Sequence, residues 1–406
     1  MRCRAVCSSG VNHTVIARIL ALAIFASPVA AMAQTLTLSC MDIGRAVEAC
    51  EAAAARYTES SGHAVRVVAA DAFGQRSLEA YTSLFDVESA RLDVLQFPAS
   101  WAHVLANDLS TLDDASLSQT IPQLQEAGVV DQRRVGLPQH LAVTLLFLRQ
   151  ELFNGPPEVW QELRNGLASA DPNGTSGMTF GATGGALFPF IMDWIYSFGG
   201  TGLTDAAVVR RALDALDASL NMFTSRTMAS ASAADAVTDF VSGRSAALMA
   251  SSTALPAVAD ETGLDGIQTV IRPHESSVEG ASLLATVWLT GVSRFSANPG
   301  PARDLADFLV SEAEQKQAAE AFGLAPTDAS LYADPALIAS VPLFGEIAER
   351  LDQLTLGPLA TFGIAYLDLA DAVSAAVRAF IEGRATVDET LTAITGAVIR
   401  ARRQMN

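Results

Sequence analysis

Three short apolar runs, Leu36 to Ser39, Val65 to Val68 and Leu92 to Phe97, alternate with two segments of helical spacing, and this order constrains the fold more than any other feature. The first helical segment, Arg45 to Ser61, places Ala46, Ala49, Cys50, Ala53, Ala54 and Tyr57 on one face, and Gly62 supplies a residue tolerant of positive φ at its end. Leu78 to Phe85 forms the second. Strand, helix, strand, helix, strand implies a parallel sheet with right-handed crossovers. Ligands of such sheets bind beyond the carboxyl ends of the strands. The tips there carry Asp42 and Arg45, Asp71, and Gln96 with Phe97, which makes these the first candidate site residues. An acid and a guanidinium at one tip suit vicinal hydroxyls, although Asp42 also reads as a helix cap and Arg45 as a solvated side chain.

Further along, Val135 to Leu137 and Pro138 lead into an apolar segment, Leu141 to Leu148, read as a strand entering a second lobe with Gln139 and His140 at its entry. Helical patterns follow at Val159 to Leu167, Ala186 to Phe198, Ala206 to Phe223, Ala231 to Ser242 and Ser251 to Asp260, with strands at Ala246 to Met249 and Thr269 to Ile271. Ala285 to Val292 returns to strand, Pro301 to Glu320 reads as one long helix, and Leu343 to Arg402 is mostly helical. Trp194 divides between packing and ligand contact, and Tyr196 is assigned to packing. Ser252 and Thr253 open a helix whose N–H groups suit a hydroxyl or an anion, or they serve as caps.

Arg2, Arg4 and Arg18, the apolar run Ile19 to Ala26 and the small-residue site Ala31-Met32-Ala33 together read as a secretory signal peptide, residues 1–33, cleaved before Gln34. The apolar run is too short to span a bilayer, so an exported, periplasmic protein is expected. Losing three arginines and no acid takes the formal charge from −18 to −21. That charge disfavours nucleic acid, and the length suits two lobes. Lys316 is the only lysine, which removes the lysine of a phosphate-cradling loop. Once Cys3 and Cys7 leave with the leader, Cys40 and Cys50 remain. Either a disulfide, permitted in an oxidising compartment, or two buried thiols fits them. His63, His103, His140 and His274 lack metal-ligand spacing, and Gly181 to Gly185 lacks the spacing of a dinucleotide loop. No catalytic set, metal or cofactor is expected. A secreted carbohydrate-active enzyme using Asp42 with Asp71 or Asp93 stands as the alternative, beside a ligand-sensing receptor module.

Gly280 to Leu337 carries a more specific signal: Trp288, Gly291, Val292, Ser293, then Asn298-Pro299, Phe308-Leu309, Glu314-Gln315, Gly323 and Pro326-Thr327, in that order. Asp93 to Gln96, Trp194 to Gly200, Phe240 to Met249 and Phe380 to Arg384 add matching segments. This order resembles the extracellular solute-binding proteins of family 1, the sugar-binding components of ABC importers that include maltose- and trehalose-binding proteins. The resemblance implies an α/β, two-lobed clamshell of the periplasmic-binding-protein fold with three hinge crossings, near 138–141, 283–286 and 325–328. Lobe one would comprise 34–139 and 285–326, and lobe two 140–284 and 327–406. It further implies a non-enzymatic, monomeric substrate-binding component that hands a mono- or disaccharide, or a similar polar solute, to ABC permease subunits. Trp288 falls where the family has a tryptophan beside the ligand, and Gln139 and His140 lie at the first hinge. Where relatives carry aromatics, this chain has Gln139-His140, Gly184-Gly185 and Ser251-Ser252-Thr253, which favours a compact solute over a long oligosaccharide. Arg45 and His140 raise an acidic sugar as a second expectation.

Overall fold

β-Branched and aromatic residues bounded by glycine, proline and acidic turns build two sheets that share one chain. The computed structural model describes residues 34–405 except 72–74, 115–116, 154, 169–175, 223–229 and 279–280; the leader, residues 1–33, lies outside them. The strands are β1 (Thr35–Asp42), β2 (Ala64–Asp71), β3 (Val94–Pro98), β4 (Val129–Val130), β5 (Arg133–Arg134), β6 (Leu137–Ala142) and β7 (Thr144–Arg149). They continue with β8 (Ser176–Phe180), β9 (Ser245–Ser251), β10 (Ile267–Ile271), β11 (Leu283–Leu284), β12 (Thr286–Val292), β13 (Ala325–Pro326) and β14 (Leu354–Thr355).

The first sheet has the order β13-β6-β12-β3-β1-β2, and the second β10-β7-β9-β8. Within the first, β1 runs parallel to both β2 and β3, as the alternation of residues 35 to 98 requires. β12 enters antiparallel between β3 and β6 and is bulged between Trp288 and Leu289. That late return closes the first sheet around a strand from far along the chain.

Helices Ala46–Ser61 and Pro299–Leu309 cover one face of the first sheet, where Leu38, Tyr57, Val94 and Leu305 are buried. Cys40 and Cys50 are bonded, with S–S 2.06 Å and Cα–Cα 6.6 Å, so the disulfide is the reading realised and joins β1 to its following helix. The second sheet packs against helices Leu187–Tyr196, Ala206–Met222, Tyr366–Ile381 and Val387–Gln404, burying Leu146, Phe180, Trp194, Leu213, Val377 and Ile394.

Two expectations are corrected. The stretch 301–320 is two helices, Pro299–Leu309 and Glu312–Phe322, because the Ser311 hydroxyl accepts from the Glu314 N–H at 3.4 Å and caps a fresh start. The segment Leu141 to Leu148 is not one strand: β6 ends at Ala142 in the first sheet, and β7 begins at Thr144 in the second. Val143 between them is held by Ser252, whose N–H donates to the Val143 carbonyl at 2.8 Å while its hydroxyl accepts from the Val143 N–H at 3.3 Å.

Candidate functional site

The carboxyl ends of β1 and β2 face the ends of β7 and β9 across a cleft. Gly44, just beyond β1, adopts φ +54°, and a Cβ there would lie 2.8 Å from the carbonyl oxygen of Thr253, which follows β9. The two tips therefore touch through a position only glycine fills without strain. Behind them lies a chamber of about 1030 Å³ lined by Asp42, Asp71, Thr144, Thr238, Ser242, Ser251, Thr253, Asp260, Glu261 and Thr286, with Phe190, Met249 and Trp288 among its apolar walls. A second chamber of about 650 Å³ is lined by Arg76, Ser100, Trp101, Tyr366, Asp371, Ser374 and Arg378. The two chambers share Asp71, Pro189, Leu284 and Thr286, so they form one divided cleft.

Of the residues singled out from sequence, the structure brings Asp42, Asp71, Thr253 and Trp288 to the larger chamber. Trp288 is fully buried and stacks on His140, ring centroids 5.2 Å apart and planes 15° from parallel. It forms part of the chamber floor and not an open platform. Trp101 reaches the smaller chamber while packing edge-on against Tyr81.

The other candidates do not line either chamber. Gln96 and Gln139 are engaged with each other beneath the floor: the Gln96 amide donates to Gln139 Oε1 at 2.9 Å, Thr290 donates to the same oxygen at 2.6 Å, and the Met41 N–H donates to Gln96 Oε1 at 2.9 Å. His140 lies buried beside this network, and burial pushes its pKa down to about 3, so it is neutral and carries no charge for an anion. Phe97 is core, packed against Gly291 and Gly136. The guanidinium of Arg45 turns over the Phe322 ring at 5.5 Å. Ser252 is spent on Val143. Trp194 sits in the second core against Trp160, Phe190 and Phe198, its indole N–H donating to the Ala212 carbonyl at 2.8 Å. Arg45 and His140, the two residues that prompted an acidic-sugar reading, are thus not among the residues that line either chamber.

Helix Tyr366–Ile381 lies within the stretch read as helical from sequence, but that reading missed that it turns Asp371, Ser374 and Arg378 to the smaller chamber. Their spacing of three and four residues on an otherwise alanine- and valine-rich helix is the signal that was available. Partial burial and the neighbouring Asp368 raise the pKa of Asp371. Also missed were Asp260 and Glu261, at the end of helix Leu255–Thr262. A further missed feature lies under the cleft, where Asp193 and Arg272, 0% and 3% exposed, pair at 2.6 Å. Arg272 also donates to the Ser282 carbonyl at 2.5 Å, and Asp193 accepts from the Leu284 N–H at 3.3 Å. The pair thereby fixes β11, whose Leu284 belongs to both chambers. Among the described residues no cluster of three metal-ligating side chains occurs, and no helix is long and apolar enough to cross a membrane.

Comparison with known proteins agrees with this geometry. The sequence profile described as bacterial extracellular solute-binding protein matches residues 52–345. A probable ABC transporter-binding protein of Deinococcus radiodurans is 23% identical over 404 residues, covering 93% of this chain and 96% of that protein. Maltose-bound MalE3 of T. maritima superposes with a TM-score of 0.80 at 20% identity, covering 89% of this chain and 98% of that one. An ABC transporter solute-binding protein of Thermotoga lettingae, bound with α-D-tagatose, gives 0.78 at 17% identity over 92% and 100% of the two chains. At these identities the likeness carries the two-lobed fold.

Proposed function

The chain belongs to the bacterial extracellular solute-binding proteins, and from that premise we propose that it is the substrate-binding component of an ABC importer, capturing a mono- or disaccharide or a similar compact polar solute. The observation that carries the reading is the divided cleft, lined from both sheets by carboxylates, hydroxyls and two arginines. A solute that touches both sides gives the closed form contacts that the open form lacks, and closure is what a permease can read. Sugar hydroxyls need such a lining, because a buried polar group without a partner costs about 1–3 kcal/mol. The flat aromatic faces that long oligosaccharides stack on are scarce, since Trp288 and Phe190 are both buried. The relatives bound to maltose and to tagatose span the size range proposed.

In this reading the leader 1–33 exports the protein to the periplasm, where it acts as a monomer with the permease subunits and without catalysing a reaction. The lobes are 34–139 with 285–326, and 140–284 with 327–406, except that β6 pairs within the first sheet as far as Ala142 and carries the first crossing to Val143. Calorimetric titration of chain 34–406 with maltose, tagatose, glucose and ribitol tests it. Saturable binding that weakens roughly tenfold or more in Thr253→Ala or Asp42→Asn supports the cleft as the capture site. Turnover of any of these sugars, or binding indifferent to both substitutions, sinks it.

A further inference from the structure

The buried pair of Asp193 and Arg272 holds a stretch of backbone that leads straight to the cleft. Asp193 lies on helix Leu187–Tyr196 and Arg272 follows β10, and neither lines a chamber. Their charges meet at 2.6 Å, and each also takes hold of residues 282–284: the guanidinium donates to the Ser282 carbonyl, and the carboxylate accepts from the Leu284 N–H. β14 holds the same stretch as well, since β11 pairs with it in parallel and the Ala285 N–H donates to the Thr355 carbonyl at 2.9 Å. Just past β14, Gly357 has φ +61°, and a Cβ there would lie 2.6 Å from Leu284 Cδ1. Leu284 and Thr286, which line both chambers, thus stand on or next to backbone fixed by two ionised side chains and a strand.

Stability alone does not account for two full charges in this place. Taking a carboxylate and a guanidinium out of water offsets much of their attraction, and well-packed apolar residues of similar volume commonly serve a fold as well or better. Ile191, Met192, Trp194 and Ile195, beside Asp193 on its helix, are buried already, so apolar side chains would suit the site. What apolar side chains cannot do is bind a backbone N–H and a backbone carbonyl in a fixed direction. We propose that Asp193 and Arg272 are positioning residues for solute capture: by gripping 282–284 they set where Leu284 and Thr286 stand in the divided cleft. The inference rests on the solute-capture reading and adds to it a determinant of affinity that touches no solute.

The test pairs calorimetric titration with urea unfolding, on chain 34–406, using maltose, tagatose, glucose and ribitol. Asp193→Leu or Arg272→Met alone leaves a buried charge without its counterpart and should lower the urea midpoint. The double variant Asp193→Leu/Arg272→Met should regain most of that loss, yet bind whichever sugar the unsubstituted chain binds about tenfold more weakly. Hydrogen exchange in the double variant should quicken at the Leu284 amide and stay as it was in helix Val387–Gln404. Ile394→Ala, which loosens the second core through that helix, should lower the midpoint while changing affinity by less than about twofold. Native affinity in a folded double variant, or an unaltered Leu284 amide, overturns the inference. So does a loss of affinity in Ile394→Ala as large as in the double variant, since affinity would then merely follow stability. If the double variant does not fold, Arg272→Lys decides: a lysine keeps the charge but lacks the fork that reaches Asp193 and Ser282 together, so affinity should fall about threefold or more, and an unchanged affinity overturns the inference. Silence of every sugar with the unsubstituted chain overturns the solute-capture reading and this inference with it.

Discussion

At the scale of the residue, His140 shows how burial decides a role that sequence leaves open. As a lone histidine next to a hinge it reads equally as a donor to solute or to backbone; in the fold it is 3% exposed, stacked on Trp288, and its Nε2 has no hydrogen-bond partner among the described residues. Burial lowers its pKa from 6.5 to about 3. A group depressed in this way takes up its proton in the unfolded chain first, so its contribution to stability is complete above about pH 6.5 and is lost as pH falls toward 3. The unfolding free energy from urea titrations between pH 7 and 5 should therefore decline with a slope approaching about 1.4 kcal/mol per pH unit below pH 6. In His140→Phe, which keeps the stack without the titration, that part of the slope should vanish. An unchanged slope would place the acid sensitivity elsewhere. The bulge at Trp288 and Leu289 belongs to the same setting: it leaves Gln139 between the pairs that His140 and Pro138 make with β12, and there Gln139 bonds to Gln96. A bulge of this kind leaves no mark on residue spacing.

At the scale of the element, the parallel β1, β2 and β3 were legible because local periodicity and short connections determine them, and their tips did deliver Asp42 and Asp71. Strands β4, β5 and β8 were not, being short or lacking alternation. The Cys40–Cys50 bond belongs to this scale, since it ties the carboxyl-terminal part of β1 to the first turns of the helix that follows. Closing a loop of this length removes chain entropy from the unfolded state worth about 3 kcal/mol on the entropic account. Cys40→Ala/Cys50→Ala should lower the urea midpoint by a corresponding amount, and reduction of the unsubstituted chain should lower it similarly while leaving the double variant unmoved. Because β1 ends at the cleft, sugar affinity in the folded double variant should fall by less than threefold. A larger loss of affinity at intact fold would mean that the bond also sets the position of the Asp42 tip.

At the scale of the whole molecule, the two-lobed arrangement was reachable from sequence only through the ordered resemblance of Trp288 to Thr327, because the contacts that bring β12 between β3 and β6 join residues about 150 to 200 apart. Cleft-lining residues on helix Tyr366–Ile381, Asp371 and Arg378, stayed hidden for the same reason. Such an arrangement works by changing shape, and the contact between Gly44 and Thr253 is where that change can be tested. The tips of the two sheets meet there with no room for a Cβ, and the left-handed φ of Gly44 is one that other residues adopt only with strain. Gly44→Ala should cost about 1 kcal/mol in the sugar-free protein from backbone strain. The added methyl should act mainly on the form in which the tips touch, so affinity for a binding sugar should fall about tenfold. Small-angle scattering should show the radius of gyration of the unsubstituted chain shrinking at saturating sugar and that of Gly44→Ala shrinking less. If the substitution lowers stability but leaves affinity and compaction as they were, the tips touch in both forms and the contact takes no part in closure.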